Sequence, residues 1–95
     1  MHIINLTYKV PLEIIDQHLN SHIEYLNKQY ELGNFLASGR KIPRTGGFFL
    51  TKIADKNQLI KILEGDPFKA KELANYELIE FVPTRACEEL KFLIG

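Results

Sequence analysis

The stretch FLASGRKIPRTGGFFLTKI, residues Phe35–Ile53, decides the fold. It holds two short apolar runs, Phe35 to Ser38 and Phe48 to Ile53, separated by a loop that carries Gly39, Pro43 and the pair Gly46-Gly47. Apolar, β-branched and aromatic residues bounded by glycine and proline read as two strands joined by a turn. On the N-terminal side, Leu12, Ile15, Leu19, Ile23, Leu26 and Tyr30 recur at helical spacing and place one apolar stripe along a helix that Gly33-Asn34 ends. Ahead of it, Ile3 to Tyr8 reads as a strand stopped by Pro11, a residue suited to the first helical turn. On the C-terminal side, Asp55 and Gln58 form a capping-box pattern, and Leu59, Ile62 and Leu63 give a second helix its inner face. Gly65-Asp66-Pro67 interrupts that helix, Phe68 to Ala74 resumes it, and Tyr76 to Val82 reads as a fourth strand before Pro83. Thr84 is placed to cap a short C-terminal helix running to Leu93.

The order is βαββαβ with a helical tail, in one α+β domain over residues 1–95. Right-handed crossovers put both helices on one face of a four-stranded antiparallel sheet, the ferredoxin-like arrangement. The other face has no cover in this topology. Phe48-Phe49-Leu50, Leu78-Ile79 and Phe81-Val82 lack the polar alternation of a solvated face, so the expectation is a homodimer joined sheet to sheet. Length points the same way, because a chain of 95 residues builds only a modest core.

Lysine plus arginine equals aspartate plus glutamate, 12 against 12, so no global field draws nucleic acid or acidic lipid. A four-stranded βαββαβ domain can also stack RNA bases on strand aromatics. Here His2 stands where the first such aromatic is expected, and the balanced charge disfavours a phosphate backbone. The single cysteine, Cys87, excludes an internal disulfide and fits a reducing, cytoplasmic compartment. No basic leader and no apolar run of membrane-spanning length is present, so neither export nor membrane insertion is expected.

Two polar residues stand out. At ~100° per residue, His22 lies about 65° from the centre of the first helix's apolar stripe, at its border. Asp66 follows Ile62 by four and Leu63 by three, continuing an inward face with a charge that resists burial. Both sit mid-helix on neighbouring helices, so a hydrogen bond between them is geometrically reasonable. It would fix the imidazole tautomer and leave the other nitrogen for proton transfer. A half-buried histidine bonded to backbone and a solvated Asp-Pro turn explain the same positions. His18 precedes His22 by one helical turn, but no third ligand lies at metal-binding spacing, so no metal site is expected. Ser38-Gly39 and Arg44 before Thr45-Gly46-Gly47 offer a hydroxyl, backbone amides and a guanidinium to an anion, or merely a glycine turn beside a solvated arginine.

Taken together, His22 with Ile23 to Leu26, Ala37-Ser38-Gly39, Pro43-Arg44-Thr45-Gly46-Gly47, Asp66-Pro67-Phe68 and Tyr76 to Phe81 resemble the YciI-like family across nearly the whole chain. The resemblance implies a dimeric α/β barrel of ferredoxin-like protomers, related in fold to muconolactone isomerases. It also implies an active site on a histidine and aspartate pair, here His22 and Asp66, and some relatives eliminate halide from aromatic intermediates. Two positions depart from the pattern: Arg40 stands where proline is expected, and Glu72 where glycine is expected.

The reading that follows is a small cofactor-free enzyme. It moves a proton in isomerisation, elimination or hydrolysis of a small cyclic or aromatic organic acid. His22 is the general base or acid, Asp66 its orienting partner, and Ser38 and Arg44 are substrate contacts. The alternative is a dimeric ligand-binding or accessory module, since this architecture hosts both.

Overall fold

Ile4 stands opposite Phe49 on one side and Leu78 on the other, at the centre of a four-stranded antiparallel sheet. A computed structural model describes residues 1–94. Its strands are β1 His2–Tyr8, β2 Ala37–Arg40, β3 Gly46–Thr51 and β4 Ala74–Glu80, in the spatial order β2-β3-β1-β4. The helices are α1 Leu12–Gln17, α2 Leu19–Glu31, α3 Lys56–Leu63 and α4 Pro67–Ala70. With the ladders all antiparallel, this is the ferredoxin-like arrangement expected from the order of elements.

Alternation along the strands sends Ile4, Leu6 and Phe49 toward the helices, where they pack with Tyr25 of α2, Phe35, and Leu59 and Leu63 of α3. A smaller cluster of Ile15, Phe68 and Leu73 closes the end of the sheet beside α4. Each fully buried aliphatic or aromatic side chain contributes roughly 1.5 to 3 kcal/mol of transfer free energy. The opposite face carries Ile3, Leu50 and Ile79 in one cross-strand row, with Phe48 45% exposed and Ile79 44% exposed. It is thus apolar and uncovered in the protomer.

Asp55 caps α3 as the pattern indicates, accepting from the amides of Asn57 and Gln58. Other boundaries differ. The first helix is two: His18, at φ −110° and ψ 6°, ends α1 and precedes α2. The buried face is Ile15, His22, Tyr25 and Gln29, roughly 80° round from the expected stripe at ~100° per residue. Leu12 and Tyr30 are exposed, while Leu19, Ile23 and Leu26 line a cleft, Leu19 and Leu26 also packing against the edges of the core clusters.

The middle strands and β4 also move along the sequence. Phe35 is core rather than strand, and β3 begins at Gly46, two residues before the expected start. The glycines are needed there. A β-carbon on Gly46 would fall 1.8 Å from the Leu6 carbonyl oxygen, and one on Gly47 would fall 2.7 Å from that of Gly39. The C-terminal segment is a 3-10 helix, Glu88–Leu93, preceded by Cys87, so Thr84 does not cap it. Among the described residues, no helix is long and apolar enough to cross a membrane.

Candidate functional site

Asp66 is fully buried although it carries a charge. Its backbone is extended at the N-cap of α4, with Pro67 at the first helical position, and its Oδ1 accepts from the Phe68 amide at 3.0 Å. The Asp-Pro pair is therefore a helix start, not a solvated turn. The same Oδ1 lies 2.8 Å from His22 Nδ1, and Oδ2 accepts from the Tyr76 hydroxyl. A carboxylate has no proton to give, so Nδ1 carries the hydrogen of that bond and Nε2 is left with its lone pair in the neutral ring. Three donors converge on one buried carboxylate, which answers the cost of desolvating it.

His22 is 8% exposed and lies flat against Phe68, centroid to centroid 3.9 Å at 5°. Phe49 stands 6.0 Å away on a similar plane. Hydrogen bonding fixes rotation in the ring plane and stacking fixes its tilt. Among the described residues His22 Nε2 has no protein partner and is not one of the buried unpaired atoms, so it opens into the cleft that His22 lines.

That cleft, about 540 Å³, lies between α2 and the strands β2 and β3. The helices leave the edge strand β2 uncovered, and Gly47, which occupies a helix-facing register position, supplies no side chain to fill the gap. Leu19, Leu26, Phe49 and Phe68 give it an apolar wall. Its polar lining is Tyr8, His22, Ser38, Arg40 and Arg44, with no carboxylate among the lining residues. Ser38 Oγ shares a 2.6 Å hydrogen bond with the Tyr30 hydroxyl. Arg44 Nη2 donates to Asp16 Oδ1 at 2.6 Å, and that bond holds the guanidinium pKa above its ordinary value.

The structure thus brings His22 and Asp66 into contact and sets Ser38 and Arg44 on the wall of the same cleft. Sequence reasoning missed Tyr76, Phe68 and Tyr25. Burial, then the Asp66 charge, then the hydrogen bond to Asp66 push the Tyr76 hydroxyl far above the ordinary tyrosine value. Tyr25, donating to the Ile62 carbonyl at 2.7 Å, is raised by burial first and by Asp66 second. One signal was available for Tyr76: it shares helix-facing parity with Ala74 and Leu78, and an inward tyrosine needs a partner for its hydroxyl. Among the described residues, no three His, Cys, Asp or Glu side chains gather as metal ligands, and His18 stays at the helix break.

A ferredoxin-like sheet, a buried imidazole–carboxylate pair and an apolar cleft with cationic groups define a small α+β protein with an enclosed polar centre. The chain belongs to the YCII-related domain family, whose pattern matches residues 1–82. In fold it is similar to the 5-chloro-2-hydroxyhydroquinone dehydrochlorinase TftG from Burkholderia phenoliruptrix AC1100, solved in complex with 2,5-dihydroxybenzoquinone. That likeness has a TM-score of 0.70 at 16% identity and covers 85% of this chain and 93% of the other. Comparison with curated proteins finds no match.

Proposed function

We propose that this protein is a small acid–base enzyme acting on a cyclic or aromatic organic acid, with His22 moving the proton and Asp66 orienting it. The observation that carries the reading is the 2.8 Å contact of His22 Nδ1 with buried Asp66, made beneath a cleft into which Nε2 opens. In the forward step, Nε2 takes a proton from a carbon or oxygen acid of the bound substrate. The imidazolium that forms keeps its Nδ1–H on the Asp66 carboxylate, whose charge stabilises it. The proton then returns to another substrate atom or to a leaving group, giving isomerisation or elimination; in hydrolysis Nε2 takes the proton from the attacking water instead and passes it to the departing group. Ser38 and Arg44 hold polar groups of the substrate from the β2–β3 side. A dehydrochlorinase of the same fold, solved with a small quinone, supports a ring compound as substrate.

The apolar outer sheet face supports a homodimer. Ile3, Leu50, Ile79 and Phe48 would pack against the same residues of a second copy and close two sheets into a barrel.

The test is a panel of cyclic and aromatic acids incubated in deuterated water and followed by proton NMR for exchange or turnover. His22→Gln is expected to reduce the rate by about 10²- to 10⁴-fold while ligand binding persists. Equal rates in wild type and His22→Gln would overturn the acid–base reading.

A further inference from the structure

We infer that Arg40 is the principal anion receptor of the cleft, so that the preferred ligand is a flat ring bearing a carboxylate directed at the edge strand β2. This rests on the reading of the cleft as a substrate site.

Three cations follow one another in and after β2, and the structure separates their duties. Lys41 turns to the outer sheet face, where its ammonium lies 5.2 Å from the Phe48 ring centroid and donates to Thr7. Arg44 lines the cleft, but its charge is balanced by Asp16 at 2.6 Å. Arg40 lines the cleft as well and has no hydrogen-bond or ion-pair partner for its guanidinium among the described residues. It therefore supplies the uncompensated positive charge on a wall that holds no carboxylate.

Placement favours it too. Arg40 pairs with Gly47 and shares the helix-facing parity of Ser38 along β2, so one rigid strand presents a hydroxyl and a guanidinium on one side of the cleft. A guanidinium binds a carboxylate through two parallel N–H···O bonds, a geometry an ammonium does not reproduce. Across the cleft, Leu19 and Leu26 offer apolar surface to a ring, with Phe49 and Phe68 beside His22. A ligand that is planar and apolar with one anionic edge matches both sides at once.

The test is an NMR titration of the full-length protein with benzoate and with its neutral isostere benzamide, read at the His22 ring signals. The proteins compared are wild type, Arg40→Gln, Arg40→Lys and Arg44→Gln. Benzoate is expected to shift the His22 signals in wild type and to bind more tightly than benzamide. Its affinity should fall about tenfold or more in Arg40→Gln, less in Arg40→Lys, and less in Arg44→Gln than in Arg40→Gln. Benzamide affinity should be the same in wild type and both Arg40 variants. If benzoate moves the His22 signals equally in wild type and Arg40→Gln, or if Arg44→Gln is the more damaging change, the inference is wrong and the substrate-site reading stands. If neither ring compound reaches His22, both fail together.

Discussion

The ring of His22 lies 5° from parallel with that of Phe68, two residues after the aspartate that accepts its Nδ1 hydrogen. Asp66-Pro67-Phe68 therefore orients the imidazole twice, once through a hydrogen bond and once through an aromatic face. Because Asp66 also caps α4, the local signal that starts the helix is the one that delivers the carboxylate. Phe68 in turn belongs to the core cluster of Ile15 and Leu73, so the candidate site and the packing around it are coupled.

Phe68→Leu separates these roles. The substitution keeps an apolar side chain in the cluster and removes the stacked face. Stability should fall by about 1 to 1.5 kcal/mol in denaturant titration, with the Asp66 hydrogen bond preserved. The His22 ring signals should broaden or shift as the ring gains freedom to tilt.

Alkaline pH tests the buried hydroxyls. Tyr25 and Tyr76 both have pKa values raised from the ordinary 10.0, through burial first and the Asp66 charge second. The fold thus favours their neutral form. The stability this contributes is whole below pH 10.0 and is lost progressively as pH rises beyond it toward the raised folded values. Tyrosinate absorbance from these two residues should rise only as the protein unfolds, and Tyr76→Phe should remove part of the alkaline instability.

Glu72 has φ 56°, in the left-handed region, at the end of α4 where the Leu73 amide bonds back to the Phe68 carbonyl. A residue with a β-carbon is strained there by roughly 1 to 2 kcal/mol, partly offset by the greater freedom glycine has when unfolded. Glu72→Gly should therefore stabilise the protein by about 0.5 to 1 kcal/mol, seen as a melting temperature a few degrees higher.

The outer sheet face makes a separate prediction. Ile79→Glu places a charge in the row shared with Ile3, opposite which Leu50 also pairs. Light scattering after size-exclusion chromatography should give twice the chain mass for wild type and a monomer for the variant. A wild-type monomer at micromolar concentration would end the sheet-to-sheet reading.

The order of elements was legible because each boundary carries its own chemistry: Pro11 before a helix, Asp55 at a cap, Gly33 with φ 75° at a helix end. The phase of the first helix was not. Its most regular apolar stripe, with Leu19, Ile23 and Leu26, lines a cleft, and hydrophobicity does not distinguish a cleft wall from a core. His22 consequently looked like a border residue and is an inward one. Spacing suggested a contact between His22 and Asp66, yet Asp66 reaches it as a helix cap and not as a continuing inner face. Tyr76 and Phe68 come from chain distant in sequence from His22, and no periodicity within one element links them.

The most direct measurement is nitrogen-15 NMR of the His22 ring in wild type and Asp66→Asn, recorded on the neutral imidazole. The account requires the wild-type hydrogen on Nδ1, facing Asp66, with Nε2 unprotonated toward the cleft. It also requires the tautomer balance to change in the variant, where the amide no longer offers two acceptor oxygens. A wild-type ring protonated on Nε2, or identical spectra in the two proteins, would contradict the proposed pair.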